Sequence, residues 1–378
     1  MPSNETIISG RLDKSVPSST YETLLESKWE AAKAKTGLES TAGVEFDPSL
    51  HLNYYASPMM KHKFQNTRRI TMEELGLTNK RQISPIGVSD PFPLFTDEAV
   101  DIMRQEVLEK QLFLNFARFS YSSTSGLDVA MRGYVKNDEE YSAPFTYKCW
   151  THPKTMELVS KMAGVNLEVV MDFEIAHLNV SMKHPDVAKE ERARTASSDG
   201  VGIPAIVDWH YDSYPFVCVL MLSDTTDMIG GETSLRMGGS EKGKVAIVPG
   251  PQQGSAAILQ GRMIEHLAPS PIGMSERITM VTSYRAKDPL KNDGSVLSTV
   301  KPEINYGSSY NSFYSQWINY RVELLKERLD LLNKNSRDEK GMFQKEMTKD
   351  ALIEVEKYLK DTYKEMEFTK EDYEKIPK

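Results

Sequence analysis

The sequence is poor in cysteine, in surplus positive charge and in long apolar runs. Its 378 residues include only two cysteines, Cys149 and Cys218, too few for a disulfide framework or a thiolate zinc site. The 46 Lys and Arg residues are outnumbered by 54 Asp and Glu residues, which argues against a nucleic-acid partner, because phosphate binding needs clustered positive charge. The longest apolar run, residues 216–222, has the length of a strand and is far below the roughly 20 residues of a membrane span.

The start of the chain also lacks the features of a secretion signal. Residues 1–13 contain neither a basic beginning nor an apolar core. Together with the scarcity of cysteine, this indicates a cytoplasmic protein in a reducing compartment, with no membrane partner. Oligomeric state has no signal in the sequence. The apolar fraction of 39% and the aromatic fraction of 9% exclude disorder of the whole chain.

Apolar periodicity predicts a β-rich middle with helices on both sides. One helix is predicted at residues 20–35 and another at residues 151–164. A further helix is predicted to begin after a cap at Thr96, with Phe113 on its apolar face. Seven short β-type runs follow, at residues 167–173, 176–182, 205–209, 215–222, 245–248, 256–259 and 278–284.

Beyond residue 308 the helical period returns in two apolar stripes. The first contains Trp317, Tyr320, Leu324, Leu325, Leu331 and Leu332, and the second contains Leu352, Val355 and Leu359. Helices around a β-rich middle fit a single domain over residues 1–378 better than two domains. Its β core would span about residues 165–290, with helical flanks at about 45–164 and 308–365, and short strands with many turns are typical of a sandwich or barrel.

One segment, Val207-Asp-Trp-His210-Tyr-Asp212, combines residue types that bind metal. A His and an Asp two apart on a strand edge point the same way, so both can bind one ion. About one His-x-acid pair is expected by chance in a chain of this composition, so the pair alone is weak evidence.

Residues further along give this pair a chemical context. His266 comes 56 residues after His210, just beyond a predicted strand that ends in a turn at Gly261. Two imidazoles and one carboxylate on one side of a metal leave the opposite positions open, as in the facial triad of non-haem Fe(II) oxygenases. Arg277 then opens the next predicted strand, with Thr279 two residues later. A buried Arg beside a hydroxyl suits a carboxylate, which it binds through paired, charge-assisted hydrogen bonds.

The order His-x-Asp, about fifty residues, His and then Arg-x-Ser/Thr resembles that of Fe(II)/2-oxoglutarate-dependent dioxygenases. The resemblance covers roughly residues 165–290 and includes the Gly230-Gly231-Glu turn, which is common in such enzymes. It implies a double-stranded β-helix (a cupin-like jelly roll) with iron bound by His210, Asp212 and His266. It further implies that Arg277, assisted by Thr279, binds the distal carboxylate of 2-oxoglutarate.

The same resemblance implies an oxidoreductase that uses O2 as a second cosubstrate and acts on a small molecule. The helical flanks look like those of oxygenases in fungal secondary metabolism, one type of which closes an aziridine ring on an amino acid. The related halogenases have a small residue where this chain has Asp212. Hydroxylation, desaturation or ring formation is therefore expected, rather than halogenation.

Several side chains leave alternatives open. Arg285, further along the strand of Arg277, is a rival anchor for the keto acid. Asn179 would share a sheet face with His177 and Ser181 and is a candidate to bind the keto acid or the substrate, although His177 itself is typical of an ordinary strand side chain. Candidate pocket residues are Tyr211, Arg236 and the segment 306–314, and the histidines expected to be exposed are His51, His62, His152 and His184.

Two other functions fit the same residues. A cupin-like hydrolase or isomerase would use the triad with Zn²⁺ and would not need Arg277. A β-barrel without catalytic activity would use the polar cluster only to stabilise its core. Metal analysis separates the barrel from the two enzymes, and dependence on a keto acid separates the oxygenase from the hydrolase or isomerase.

Overall fold

The computed structural model describes residues 19–119, 127–137, 140–182, 184–196, 205–269, 272–304 and 310–374. Within these ranges, no helix is both long enough and apolar enough to cross a bilayer. The helices are α1 (Ser19–Thr36), α2 (Pro48–His51), α3 (Asn53–Ala56), α4 (Pro58–Gln65), α5 (Asp97–Val107), α6 (Lys110–Phe116), α7 (Pro144–Thr151), α8 (Pro153–Ala163), α9 (Pro185–Ala196), α10 (Tyr310–Asn335), α11 (Lys345–Lys364) and α12 (Lys370–Glu374).

The strands follow the chain as β1 (Arg69–Thr71), β2 (Ile86–Ser89), β3 (Phe92–Pro93), β4 (Ala117–Phe119), β5 (Leu127–Met131), β6 (Lys136–Asn137), β7 (Glu140–Tyr141), β8 (Leu167–Val169), β9 (His177–Met182), β10 (Ala205–His210), β11 (Phe216–Met221), β12 (Thr233–Arg236), β13 (Val245–Val248), β14 (Ser255–Leu259), β15 (His266–Pro269) and β16 (Glu276–Ala286). In the described residues they form a ten-stranded sheet, a four-stranded sheet and the β6–β7 pair, and the pairing is antiparallel.

The large sheet runs in the order β1-β2-β14-β11-β16-β9-β5-β4, with β3 beside β14 and β8 beside β16. The small sheet runs β10-β15-β12-β13. Consecutive strands from β9 onward therefore switch from one sheet to the other at most of the turns. The two corners where β10 leads into β11 and β14 leads into β15 carry the predicted metal ligands.

Apolar side chains hold these layers together in three clusters. Val217 and Leu259 of the large sheet pack with Leu235 and Val248 of the small sheet, so the inner faces of the two sheets meet. The other face of the large sheet packs against helices α5 to α8 through a larger cluster that includes Trp150. A third cluster joins α10 to the end of the sheets near β8 and Tyr214. Each fully buried Leu, Val or Phe in such a core contributes about 1.5–3 kcal/mol.

Local signals account for the helices that sequence patterns predicted. The side chain of Thr96 accepts a hydrogen bond from the backbone N–H of Ala99 and caps α5. Gly164 ends α8 at φ 69°, a left-handed conformation that glycine adopts without a steric penalty. The predicted helix at residues 20–35 is confirmed as α1. The mainly antiparallel sheet with helical flanks is likewise confirmed, whereas the reading of the chain as one domain stays a prediction.

Some predictions of local structure were wrong. Phe113 does not continue the face of α5, because that helix ends at Val107 and Phe113 lies on α6. The second C-terminal stripe is not buried: Leu352 and Leu359 are 49% and 53% exposed, whereas α11 buries Tyr358 and Thr362 instead. The strands β12 and β15 have only four residues each and were missed. Strands β1 to β5, from outside residues 165–290, join the large sheet.

Candidate metal centre

The two candidate histidines are direct neighbours across the small sheet. His210 ends β10 and lies opposite His266, the first residue of β15, in the antiparallel register. Their ring centroids are 4.2 Å apart. The register of β10 is irregular between Val207 and His210, so the strand twists locally before it ends. Strand pairing thus joins two imidazoles that are 56 residues apart in the chain.

The carboxylate of Asp212 lies close to one ring nitrogen of each histidine. Its carboxylate oxygens are 3.7 Å from Nε2 of His210 and 3.6 Å from Nε2 of His266, beyond hydrogen-bonding distance. One ligand atom from each of the three residues lies within 4.8 Å of the others. The buried Oδ2 of Asp212 has no hydrogen-bond partner among the described residues. Leaving a buried carboxylate oxygen without a partner is costly, so this oxygen is well suited to bind a cation.

A backbone carbonyl sets the tautomer of His266. Its Nδ1 lies 2.9 Å from the carbonyl oxygen of Ile264, which only accepts hydrogen bonds. Nδ1 therefore carries the proton, and Nε2 presents its lone pair toward Asp212. Such a bond to the second ring nitrogen is typical of histidines that bind metal, because it fixes the ring orientation and makes Nε2 more basic.

Gly261 makes room for the Asp212 carboxylate. A Cβ atom at Gly261 would lie 1.7 Å from Oδ2 of Asp212 and 2.6 Å from its Cγ. The backbones are also joined, since the N–H of Asp212 donates to the carbonyl oxygen of Gly261 at 3.0 Å. The turn after β14 and the turn after β10 therefore form one unit around this carboxylate.

The donor set fits a divalent metal ion. Two atoms that each lie about 2.1 Å from one ion are roughly 3.0 Å apart at right angles and roughly 3.6 Å apart at 120°. The distances from Asp212 to the histidines lie close to the upper value. Two imidazole nitrogens and one carboxylate oxygen suit Fe(II), and they also suit Zn²⁺, so the triad is a candidate metal site that does not by itself indicate which metal it would bind.

The inner face of the large sheet carries the residues predicted to bind the keto acid. Val281 of β16 packs in the cluster between the sheets, and Thr279 and Arg277 have the same strand parity. Asn179 of β9 is the register partner of Thr279, and Ser181 is the partner of Arg277. The structure thus brings Arg277, Thr279 and Asn179 to one face. Their roles stay predictions.

Arg285 has the same parity but already has a carboxylate partner. Its guanidinium forms an ion pair with Glu168, its register partner on β8, and donates to the carbonyl oxygen of Ala286 at 3.2 Å. It also lies over the ring of Tyr320, 5.6 Å from the centroid. These contacts give Arg285 a structural role, and the choice of Arg277 as the anchor stays a prediction.

His177 lies at the start of β9, on the same sheet face as Asn179. It faces inward opposite Val281, and its Nε2 is buried without a hydrogen-bond partner in the described part of the chain. Burial, reinforced by the nearby Arg132 guanidinium, lowers the pKa of His177 well below its usual value. The ring is therefore neutral at physiological pH and offers a hydrogen-bonding nitrogen between the sheets.

Other predicted positions were wrong or lie outside the described residues. Arg236 is on the outer face of the small sheet, with its guanidinium 4.5 Å from the centroid of the Trp209 ring and 3.1 Å from Glu265, because the inward position belongs to Leu235. His51 is buried, not exposed, and accepts a hydrogen bond from the N–H of Asp47. In the candidate pocket segment 306–314, residues 306–309 lie outside the described residues.

Sequence reasoning missed Gly261 as a functional position. Its signal was present, since a glycine directly after a buried strand and five residues before a candidate ligand often marks a close approach of another group. Which group would approach it depended on the fold, because Asp212 precedes Gly261 by 49 residues.

Comparison with known proteins gives only distant likenesses. No protein-family model matches the sequence. No curated protein matches it either. Similar solved structures include an oxidoreductase of the 2OG-Fe(II) oxygenase family from Burkholderia pseudomallei (11% identity, 42% of this chain and 65% of that chain, TM-score 0.28). They also include the non-heme alpha ketoglutarate dependent epimerase SnoN from nogalamycin biosynthesis (13% identity, 57% and 82%, TM-score 0.36) and a prolyl-4-hydroxylase from Pseudomonas putida (12% identity, 61% and 100%, TM-score 0.32).

The chain thus spans slightly less than two thirds of the length of the Burkholderia protein. At such identities and TM-scores these likenesses carry no argument about family or reaction. By their descriptions these proteins are a member of the 2OG-Fe(II) oxygenase family, an alpha ketoglutarate dependent epimerase and a prolyl-4-hydroxylase. The case for the function of this chain depends on the geometry of the site.

Proposed function

We propose that the chain is a non-haem Fe(II)/2-oxoglutarate-dependent oxygenase that acts on a small molecule. The observation that carries the proposal is the convergence of His210, His266 and the partnerless Oδ2 of Asp212 at one corner between the sheets. The inward-facing Arg277 on β16 adds an anchor for a dicarboxylate. The net charge of −8 supports a small-molecule substrate rather than a nucleic acid, and we place the protein in the cytoplasm.

The strand order supports a double-stranded β-helix, the fold that we propose for residues 177–286. Strands β9, β11, β14 and β16 lie side by side in the large sheet, and β10, β12, β13 and β15 make up the small sheet. Two antiparallel sheets that share a chain in this alternating way, with their inner faces packed together, are typical of a jelly roll. The ligands then lie at the rim, where strands pass between sheets.

Each residue of the site has a distinct task in this proposal. His210, Asp212 and His266 would hold the iron on one side only, and bound iron with 2-oxoglutarate supplies the oxidising power drawn from O2. Arg277, with Thr279 and Asn179 beside it, would orient the keto acid from its distal carboxylate. The packed inner faces, including Val217 and Leu235, exclude water from the space beside the metal.

The carboxylate of Asp212 also bears on the type of reaction. It fills the position that is open for a halide in the halogenating relatives that the sequence resembles. We therefore propose hydroxylation, desaturation or ring formation, on an amino-acid-derived compound or another secondary metabolite. Chlorinated product from the wild-type protein in concentrated chloride, measured by mass spectrometry, would contradict this part of the proposal.

The test is succinate formation from 2-oxoglutarate with Fe(II), run against a panel of free amino acids and small metabolites. Arg277→Leu should weaken 2-oxoglutarate binding by about 100-fold or more, because removing one member of a buried ion pair costs roughly 3–5 kcal/mol. The matched control is Arg285→Leu on the same strand, which should lower stability and leave keto-acid affinity nearly unchanged.

Three results would contradict the proposal. Keto-acid affinity lost in Arg285→Leu but retained in Arg277→Leu would move the anchor to Arg285. Metal binding without any effect of 2-oxoglutarate would favour a Zn²⁺ hydrolase or isomerase. If the wild type binds no metal and His210→Ala gives the same titration as wild type, a β-barrel in which the polar cluster only stabilises the core would be favoured.

A further inference from the structure

The segment after β16 returns over the corners that carry the metal ligands. We call residues 292–304 the return loop. The N–H of Val296 donates to the carbonyl oxygen of Ser213 at 2.8 Å, and the hydroxyls of Ser213 and Thr299 are 2.7 Å apart. On the other corner, Nε of Arg262 donates to the carbonyl oxygen of Gly294 at 2.9 Å. The loop therefore binds both turns that meet at the candidate metal site.

Both contacted residues are next to the site in the chain. Ser213 follows Asp212 directly and is buried, with 3% exposure. Arg262 follows Gly261, the residue that makes room for the Asp212 carboxylate. Because each contact is one peptide bond away from a residue of the site, a shift of the loop moves the backbone that positions Asp212.

The C-terminal helices hold the return loop through Asp293. This buried carboxylate accepts hydrogen bonds from the hydroxyl of Tyr320, from the hydroxyl of Tyr358 at 2.7 Å and from Nη1 of Arg321 at 3.0 Å. Ser295 of the loop itself donates to the other oxygen at 2.6 Å. Helices α10 and α11 therefore converge on one loop residue, which lies beside Gly294.

A second set of contacts ties the loop to the end of the chain. Lys301 is buried and forms an ion pair with Asp372 of α12 at 2.7 Å, and it also donates to the carbonyl oxygen of Glu367. The N–H of Leu297 donates to the Glu365 carboxylate at 2.7 Å. Buried, hydrogen-bonded charges hold one geometry, since moving any one of them would leave its partner unsatisfied.

We propose that the return loop, anchored by Asp293, is a positioning element for the metal site, through which the C-terminal helices set the geometry of Asp212. The inference rests on the proposed metal site. Groups that hydrogen-bond to a metal ligand typically change metal affinity 10–100-fold when they are lost, even though they do not touch the ion. Asp293 and Thr299 act one contact further out, through the backbone next to Asp212 and Gly261, and Asp293 supports both contacts of the loop.

The test compares metal affinity, and hydrogen exchange of the backbone amides around the site, in three variants of the full chain. Asp293→Asn breaks the anchor, Thr299→Val removes the hydroxyl that meets Ser213 with little change of shape, and Thr348→Val makes the same exchange at the far end of α11 as a control. Anaerobic titration with Co(II) gives the dissociation constant, below the unfolding temperature of each variant. We expect affinity about 10–100-fold weaker in Asp293→Asn, about 3–10-fold weaker in Thr299→Val, and within twofold of wild type in Thr348→Val.

Hydrogen exchange of the metal-free protein provides the second measurement. Amides at residues 211–214 and 261–264 should exchange faster in Asp293→Asn and Thr299→Val, but not in Thr348→Val. Lower stability of Asp293→Asn with unchanged exchange at these amides and unchanged Co(II) affinity would overturn the proposal and leave the loop a purely stabilising contact. If the wild type binds no metal, the proposed function fails, and the exchange data alone decide whether the loop positions the corners.

Discussion

Replacing Gly261 with alanine would place a methyl group inside the space that the Asp212 carboxylate occupies. The added Cβ would lie 1.7 Å from Oδ2, 2.6 Å from Cγ and 2.9 Å from Cβ of Asp212. Rotation about the side-chain bonds cannot relieve the whole overlap, because the Cβ of Asp212 is itself too close. The two backbones cannot separate freely either, since they share the 3.0 Å hydrogen bond from Asp212 to Gly261.

The magnitude follows from these distances. An ordinary contact needs 3.4 Å or more, so Oδ2 must move by about 1.7 Å, further than a metal–ligand bond tolerates. We expect metal affinity to fall by about 100-fold or more, equivalent to at least about 2.8 kcal/mol. The fold should survive, since forcing one extra carbon into a packed site costs about 1–3 kcal/mol and Gly261 does not have a left-handed backbone.

The assay is an anaerobic Fe(II) or Co(II) titration combined with thermal unfolding of the metal-free protein. The control is Thr348→Val, at the far end of α11, where a methyl group replaces a hydroxyl that bonds only within its own helix end. Its metal affinity should stay within twofold of wild type. A folded Gly261→Ala protein that binds metal as tightly as wild type would refute the assignment of Asp212 as a ligand, or the arrangement of these two turns.

Three further predictions concern the site and its support. His266→Ala should abolish metal binding by titration while leaving the secondary structure seen by circular dichroism intact; retained affinity would remove His266 from the ligand set. Burial raises the pKa of Asp293, but Arg321 and the surrounding hydroxyls outweigh the effect of burial, and the net pKa is lowered. The ionised carboxylate therefore stabilises the fold above about pH 4, the pKa of an Asp in the unfolded chain, and this stabilisation is lost as the pH falls further. In chemical unfolding from pH 6 to pH 3, Asp293→Asn should therefore be less stable than wild type at pH 6 and converge with it in acid, and parallel curves would contradict this. Arg104→Leu should cost about 3 kcal/mol in the same assay, because it leaves the largely buried Glu276 carboxylate with Lys28 at 3.2 Å as its remaining ion pair. A change below about 1 kcal/mol would show that the pair is dispensable.

The sequence determined the local features by itself. Short apolar, β-type runs marked β11 and β16, Thr96 marked the start of α5, and Gly164 marked the end of α8, since each of these signals acts within a few residues. The order of His210, Asp212, His266 and Arg277, through its resemblance to a known family, also nominated a metal site, and the structure brings the first three side chains together.

Tertiary structure decided whatever depended on contacts between distant parts of the chain. The resemblance already favoured Arg277 over Arg285, and only the structure showed that Arg285 forms an ion pair with Glu168 on β8. The stripe at Leu352 and Leu359 is a valid helical pattern, yet burial went to the face with Tyr358, because Asp293 and Arg321 hold that side against the loop.

The same holds for the support of the site. Gly261 needed to be a glycine because Asp212, 49 residues earlier, enters its space. The return loop became relevant because it crosses both ligand-bearing turns. Local sequence patterns indicate the conformation of each segment. Strand register and the placement of loops depend on packing between segments, and no local pattern identifies which segments will pack together.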